Sequence, residues 1–190
     1  YGSGDVAEQV LFDIDLDIYP GDFAVILGKS GSGKTTLLNL IGLLDAVTDG
    51  QVEIEGRPVD TIDDDERARL RREFLGFIFQ FHYLLPDFNV LDNVLMPCRI
   101  RGREYEVEAR DRVTRMLQQV GLGDKLRSRP GQLSGGQKQR VAVVRAFANK
   151  PDIVLADEPT GSLDSKTTEQ VLELMHEIQR ETGTAFVMVT

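Results

Sequence analysis

The sequence predicts an α/β fold with a mostly parallel sheet at its centre. Three continuous apolar runs, at residues 23–27, 153–156 and 185–189, have the length and unbroken apolar character of strands that are buried on both faces. Stretches with helical periodicity lie between them, and this alternation is typical of parallel sheets covered by helices. With 190 residues, of which 41% are hydrophobic, the chain is long enough for one globular domain.

Two shorter segments predict a small antiparallel β subdomain. Residues 12–18 alternate strictly between apolar side chains and aspartates, the pattern of a strand with one face in solvent. Val52 and Ile54, which stand between polar neighbours, indicate a second short strand.

Helices are predicted at residues 34–44, 107–120, 138–148 and 171–178, where apolar residues recur at helical spacing or follow a glycine cluster. Gly121 and Gly183 are placed to end two of these helices. Because residues 85–145 show helical patterns only, we expect a helical subdomain there, inserted between core segments 1–84 and 146–190.

Composition excludes several classes of protein. Lys and Arg total 22 against 31 Asp and Glu, a formal net charge of −9, which argues against a general nucleic-acid binder. The single cysteine, Cys98, excludes an internal disulfide and is expected to serve packing. No apolar run approaches the ~18 residues that a membrane-spanning helix needs.

Residues 28–35 match the pattern G-x-x-x-x-G-K-[ST] between a predicted strand and a predicted helix. In such a loop, successive backbone N–H groups and the helix N-terminus bind phosphate. Lys34 would reach the β- and γ-phosphates, and Thr35 would offer its hydroxyl to Mg²⁺. The predicted nucleotide-binding residues of this segment are Gly28, Lys29, Ser30, Gly31, Ser32, Gly33, Lys34, Thr35 and Thr36.

Two carboxylates follow the apolar run at 153–156. The carboxyl ends of parallel strands are where open α/β sheets bind ligands. Asp157 is therefore a candidate ligand of Mg²⁺, and Glu158 is a candidate for orienting or deprotonating an attacking water.

Residues 149–152 spell N-K-P-D, which matches a guanine-reading motif of GTPases. In those proteins the motif follows a strand, whereas here it follows a predicted helix. We interpret this match as coincidence.

A second glycine motif precedes the helix at 138–148. Its residues are Leu133, Ser134, Gly135, Gly136 and Gln137. Ser134 and the paired glycines at a helix start make a second anion-binding surface. With the phosphate loop before it and the acidic strand after it, this order of motifs resembles the ATP-binding cassette (ABC) ATPases along essentially the whole chain.

The resemblance implies a P-loop NTPase of ABC type that binds ATP with Mg²⁺. In that family two cassettes pair head to tail, and the LSGGQ signature of one covers the γ-phosphate held by the other. Residues 133–137 would act in this way on the ATP of a second copy.

The resemblance also assigns further residues. Gln80, after the apolar run at 74–79, matches the Q-loop glutamine, which joins Thr35 and Asp157 at Mg²⁺ and senses the transport partner. Lys34, Gln80 and Glu158 would be the catalytic residues. Tyr1 matches the aromatic residue that stacks on adenine. The D-loop, which aligns the two sites, would contain Ser162, Leu163 and Asp164.

Residues 155–167 are similar to a subfamily of lipoprotein-releasing and macrolide- or peptide-exporting ATPases. Residues 79–88 favour the lipoprotein-releasing branch, whereas residues 137–140 are closer to the exporters. Such a subunit would be cytoplasmic and would drive a separate membrane permease from the inner face. The alternatives are a soluble ABC ATPase acting on DNA or the ribosome, and a P-loop kinase, which would leave the signature unexplained.

The family places a strand before Tyr1 and a histidine after residues 185–189, so we expect a cassette trimmed at both ends. The remaining charged and titratable features are expected to lie on solvated surfaces: the acidic-then-basic run at 63–72, Arg99, Arg101, Arg103 and His176, with His82 beside the Q-loop.

Overall fold

The central sheet has four parallel strands. The computed structural model describes residues 9–190 of the chain. The strands are β1 (Phe23–Ile26), β4 (Leu75–Phe79), β5 (Ile153–Asp157) and β6 (Ala185–Val189), and they lie in the order β1-β6-β5-β4. The predicted α/β class and parallel sheet are confirmed.

The strand register aligns the carboxyl ends of all four strands. Ile26 pairs with Val189, Val189 with Asp157, and Asp157 with Phe79. Because the strands are parallel, the segments that follow them meet at one edge of the sheet. That edge therefore brings together the phosphate loop, Gln80 and Glu158.

Six α-helices are described within residues 9–190: α1 (Lys34–Ile41), α2 (Asp64–Phe74), α3 (Val90–Arg101), α4 (Arg103–Gln119), α5 (Gly135–Ala146) and α6 (Ser165–Thr182). In α2, Asp63 caps the first turn and Arg69 pairs with Glu66 and Glu73, so the run at 63–72 is the expected solvated helix.

Alternate residues of β5 and β6 point to opposite faces of the sheet. Leu155, Val187 and Val189 pack with Leu38 of α1 on one face. Val154, Ala156, Phe186 and Met188 pack with α5 and α6 on the other. The sheet is thus covered by helices on both faces, which explains its continuous apolar strands.

A separate apolar cluster joins α3, α4 and α5. Its fully buried members include Val94, Val113, Leu117, Leu122 and Val141. Helix α5 contributes to this cluster and also to the one beneath the sheet. It therefore connects the helical part of the molecule to the sheet.

Helix ends follow local sequence. Gly121 and Gly183 have φ angles of 72° and 69°, the left-handed conformation predicted for residues that end helices. The helix predicted at 34–44 ends at Ile41, where Gly42 caps it. The helix predicted at 138–148 begins earlier, at Gly135, because the Ser134 side chain caps it.

The strand predicted at residues 12–18 is wrong. The structure has no strand there; Asp13 has a φ of 46°, and Phe12, Ile14 and Leu16 are 61%, 50% and 45% exposed. An alternating pattern stabilises a strand only when a neighbour supplies the ladder of hydrogen bonds. Among residues 9–190, the small antiparallel sheet pairs only β2 (Glu53–Ile54) with β3 (Arg57–Pro58).

Candidate active site

The phosphate loop connects β1 to α1 and forms a concave turn. Gly31 and Gly33 have φ angles of 80° and 86°, which a side chain would strain. Gly33 caps α1 and has no side chain that could accept from the first N–H groups of the helix. Those N–H groups, with the positive end of the helix dipole, are suited to an anion.

Lys34 folds back across this loop. Its Nζ donates hydrogen bonds to the carbonyl oxygens of Gly28, at 2.7 Å, and Lys29, at 3.1 Å. The ammonium group is therefore held against the backbone of the loop, and phosphate oxygens would be stronger partners for it than these carbonyls.

Thr35 and Asp157 converge from different elements. Thr35 lies in the first turn of α1, and its Oγ1 donates to Asp157 Oδ1 at 3.4 Å. Burial raises the pKa of Asp157, and the neighbouring Glu158 adds to this, while Thr35 and Lys34 oppose it. A hydroxyl and a carboxylate are the hard oxygen ligands that Mg²⁺ prefers, so this pair fits the predicted metal.

Glu158 begins a sharp turn directly after β5. Its φ is 43°, in the left-handed region that non-glycine residues seldom adopt. Its N–H donates to Val189 O at 3.0 Å, and its carbonyl accepts from Gly161 N at 3.0 Å. These two bonds hold the strained residue at the carboxyl edge of the sheet.

Gln80 and Glu158 both approach Gly161. A Cβ built on Gly161 would lie 2.9 Å from Gln80 Nε2 and 3.3 Å from Glu158 Oε2. The absence of a side chain at Gly161 therefore leaves room for both functional groups at this point.

The signature residues form a capped helix start. Ser134 Oγ accepts from Gln137 N at 3.3 Å, and Gln137 Oε1 accepts from Ser134 N at 2.9 Å. Gly136 packs so closely on Thr167 of α6 that a Cβ there would lie 2.5 Å from Thr167 Cγ2. Within residues 9–190, no hydrogen bond links the signature to the phosphate loop of the same chain.

The D-loop residues lie between β5 and α6. Asp164 caps α6 by accepting from Thr167 N and Oγ1, at 3.0 and 2.6 Å, and these bonds lower its pKa. Leu163 Cδ2 lies 3.8 Å from a Cβ built on Gly135, and Ser162 Oγ lies 3.5 Å from Gln80 O. The D-loop thus touches both the signature and the Q-loop of its own chain.

Two polar residues beside this site were missed from the sequence, Gln139 and Arg145 of α5. Gln139 is fully buried and donates to Pro159 O, and Arg145 donates to the carbonyls of His82 and Tyr83. No sequence signal separated them, because Gln137, Lys138 and Arg140 are polar residues of the same helix.

The remaining sequence matches have ordinary structural roles. Asn149 donates to Arg72 O and Lys150 pairs with Glu108, so the N-K-P-D segment binds its own helices. Cys98 is buried and its thiol donates to Ala148 O. Tyr1 lies outside the described residues.

The arginine and histidine side chains that were predicted on solvated surfaces also make local structural contacts. Arg99 pairs with Asp92 and Glu106, and Arg101 lies over the Tyr105 ring. His176 is exposed and stacks on Phe23. His82 is half-buried beside the Q-loop.

No helix within residues 9–190 combines the length and the apolar character that crossing a membrane requires.

Comparison with known proteins agrees with this site. The family model described as "ABC transporter" matches residues 11–161. The lipoprotein-releasing system ATP-binding proteins LolD of Shewanella oneidensis and Alcanivorax borkumensis are each 48% identical over all 190 residues, which span 82% and 83% of their lengths.

Two solved structures of the ATP-binding cassette MJ0796 align with 100% of this chain. The alignment covers 83% of each of those solved chains. A dimeric structure has a TM-score of 0.86 at 42% identity, and a post-hydrolysis dimer bound to ADP and Pi has a TM-score of 0.84 at 40% identity. The predicted cofactors, ATP and Mg²⁺, are those of the ABC ATPase family. The chain belongs to the ABC transporter family and is one of its ATP-hydrolysing subunits.

Proposed function

We propose that this chain is the ATPase of a lipoprotein-releasing transporter and that it drives a separate permease from the inner face of the cell membrane. The convergence of Lys34, Thr35 and Asp157 at one sheet edge carries the catalytic part of the proposal. The names of its relatives supply the lipoprotein class. A soluble ABC ATPase acting on DNA or the ribosome is not favoured, since those relatives belong to a releasing system and the chain is acidic.

In this proposal, residues 28–36 bind the triphosphate. The backbone N–H groups of the loop surround the phosphates, and the Lys34 ammonium leaves its two carbonyl partners for β- and γ-phosphate oxygens. Thr35, Asp157 and Gln80 hold Mg²⁺. The metal ion, when bound, neutralises charge that develops on the phosphates during cleavage.

Glu158 orients and deprotonates the attacking water. The turn that strains its backbone aims the carboxylate at the same space as the Gln80 amide. Catalysis then depends on positioning and on electrostatic stabilisation, as expected for phosphoryl transfer.

A second copy completes each site. Residues 133–137 present a helix N-terminus that makes no hydrogen bond, within residues 9–190, to the phosphate loop of its own chain. We assign this surface to the γ-phosphate of the partner copy, with residues 162–164 aligning the two sites. Tyr1 keeps its predicted role against adenine.

The permease contact is assigned to the Q-loop surface. Phe81, Tyr83 and Leu85 follow Gln80 and are 62%, 66% and 40% exposed. Large apolar side chains that are exposed together mark interaction sites. A permease bound at this surface would contact the residues that directly follow Gln80 in the chain.

The subdomain division is part of the same proposal. The apolar cluster of α3, α4 and α5 supports a helical subdomain at about residues 85–145, with the core at 1–84 and 146–190.

Co-purification with the transmembrane subunit of a lipoprotein-releasing system tests the proposal. The wild-type chain should be retained on the tagged permease in detergent, and Phe81→Ser should reduce retention about tenfold because it removes an exposed apolar contact. Val107→Ser, at an equally exposed residue of α4, is the matched control. Failure of the wild-type chain to be retained, or equal retention of both variants, would contradict the permease assignment.

A further inference from the structure

Helix α5 binds the chain on both sides of Gln80. Near its start, Gln139 Nε2 lies 2.5 Å from Pro159 O and 3.5 Å from Phe79 O. Near its end, Arg145 Nη2 and Nη1 donate to the carbonyls of His82, at 2.7 Å, and Tyr83, at 2.9 Å. The backbone just before Gln80 and the backbone just after it are therefore both held by the helix that carries the signature.

If these two side chains served only to fill space in the core, burying them would cost free energy without any gain. Gln139 is fully buried, and within residues 9–190 its Oε1 has no hydrogen-bond partner. Burial lowers the pKa of Arg145, and among the described residues no carboxylate compensates its charge. Apolar residues of similar size would avoid both penalties. The polar groups therefore have a role that depends on their hydrogen bonds.

Tyr83 shows what Arg145 holds in place. Its φ is 45°, a left-handed conformation that costs energy in a tyrosine. The Arg145 hydrogen bond to Tyr83 O stabilises this turn, in which Tyr83 is 66% exposed.

We propose that Gln139 and Arg145 are positioning residues that make α5, the Q-loop and the turn after β5 move as one unit. When residues 134–136 at the start of α5 engage the γ-phosphate held by a second copy, Gln80 of the same chain is thereby set in place at its own ATP. This inference deepens the proposed function and rests on the paired cassettes described there. It explains how one ATP site would sense occupancy of the other.

Steady-state ATPase measurements on Gln139→Leu and Arg145→Met test this role. We expect kcat to fall about tenfold and the Hill coefficient for ATP to fall towards one, because coupling between the sites is lost. The Kd for ADP should change by less than about twofold, since neither side chain contacts the phosphate loop. Arg145→Lys, which keeps a charged donor, should restore part of kcat.

Arg112→Met is the matched control. Arg112 also donates from its guanidinium to two backbone carbonyls, those of Phe147 at 3.2 Å and Ala148 at 2.6 Å, but these carbonyls follow α5 and are not part of the Q-loop. It should lower thermal stability to a similar extent while keeping kcat within about twofold of wild type. The inference would be overturned if Gln139→Leu and Arg145→Met kept the wild-type kcat and Hill coefficient. It would also be overturned if kcat and the Hill coefficient fell equally in Arg112→Met.

A fluorescence reporter separates this inference from the proposed function. The sequence contains no tryptophan, so Tyr83→Trp introduces a single probe into the Q-loop. ATP should shift its emission, and Gln139→Leu should abolish the shift. If the protein is an active ATPase but ATP still shifts the emission in Gln139→Leu, only the coupling is contradicted. If the wild-type chain has no ATPase activity, the proposed function itself is contradicted. If Arg145→Met does not fold, Arg145→Lys and Gln139→Leu decide.

Discussion

The hydroxyl of Thr35 lies 3.4 Å from a carboxylate oxygen of Asp157, although 122 residues separate them in the chain. Thr35 stands in the first turn of α1, and Asp157 is the last residue of β5. Strand β6 lies between β1 and β5 and aligns their carboxyl ends, which brings the two oxygens to one point. The proposed metal site therefore forms only because of the order of the strands in the sheet.

Lys34→Ala should weaken ATP binding about a hundredfold, because the loop loses the ammonium group that contacts the β- and γ-phosphates in the proposed complex. Equilibrium titration with a fluorescent ATP analogue measures this loss. Lys166→Ala, at an exposed residue of α6, is the control and should bind as wild type does. An unchanged Kd for Lys34→Ala would refute the phosphate-loop assignment.

Glu158→Gln should retain ATP binding but lower kcat by about a hundredfold or more, since the amide cannot accept the proton of the attacking water. The ATP-bound pair should then accumulate, and size-exclusion chromatography with ATP would detect it as a dimer. Glu173→Gln removes one charge at an exposed position of α6 and should behave as wild type. Normal turnover in Glu158→Gln would remove this residue from the mechanism.

Gly161→Ala should lower kcat about tenfold with little change in the Kd for ATP, because the new methyl group would press on Gln80 and Glu158. Single-turnover hydrolysis at saturating ATP isolates this effect. Gly131→Ala is a suitable control, since nothing lies within 4 Å of a Cβ built there. Equal rates for the two alanine variants would show that the space at Gly161 is not needed.

Glu106→Gln should lower Tm by about 3 °C at pH 7, because it breaks ion pairs with Arg99 and Arg110 that are only partly exposed. The Arg99 hydrogen bond is the main cause that lowers the pKa of Glu106. A lowered pKa contributes stability at neutral pH that is lost as pH falls through the lowered value. The difference in Tm between wild type and Glu106→Gln should therefore be largest at pH 7 and disappear in acid.

Thermal unfolding between pH 3 and 7 checks this dependence. Glu108→Gln removes a more exposed carboxylate with one ion pair, to Lys150, and should change Tm less. A Tm difference that is independent of pH would contradict the ionic origin.

Local chemistry could be predicted from the sequence wherever a single segment carries it. Gly121 and Gly183 need only their immediate neighbours to end a helix, and the structure has both in the predicted left-handed conformation. Residues 12–18 show the opposite case. Their alternation is a true β pattern, but the strand needs a partner that no described segment supplies.

By itself, the sequence determined the α/β class, the order of the motifs and the residue types that we propose to bind phosphate, because periodicity and spacing are local properties of the chain. Only the tertiary structure decided which motifs meet. Sheet order joined Thr35 to Asp157, and helix packing placed Gln139 and Arg145 on the backbone around Gln80. Hydrogen bonds to backbone carbonyls are independent of the acceptor's residue type, so no sequence pattern marks them before the helix has packed on the sheet.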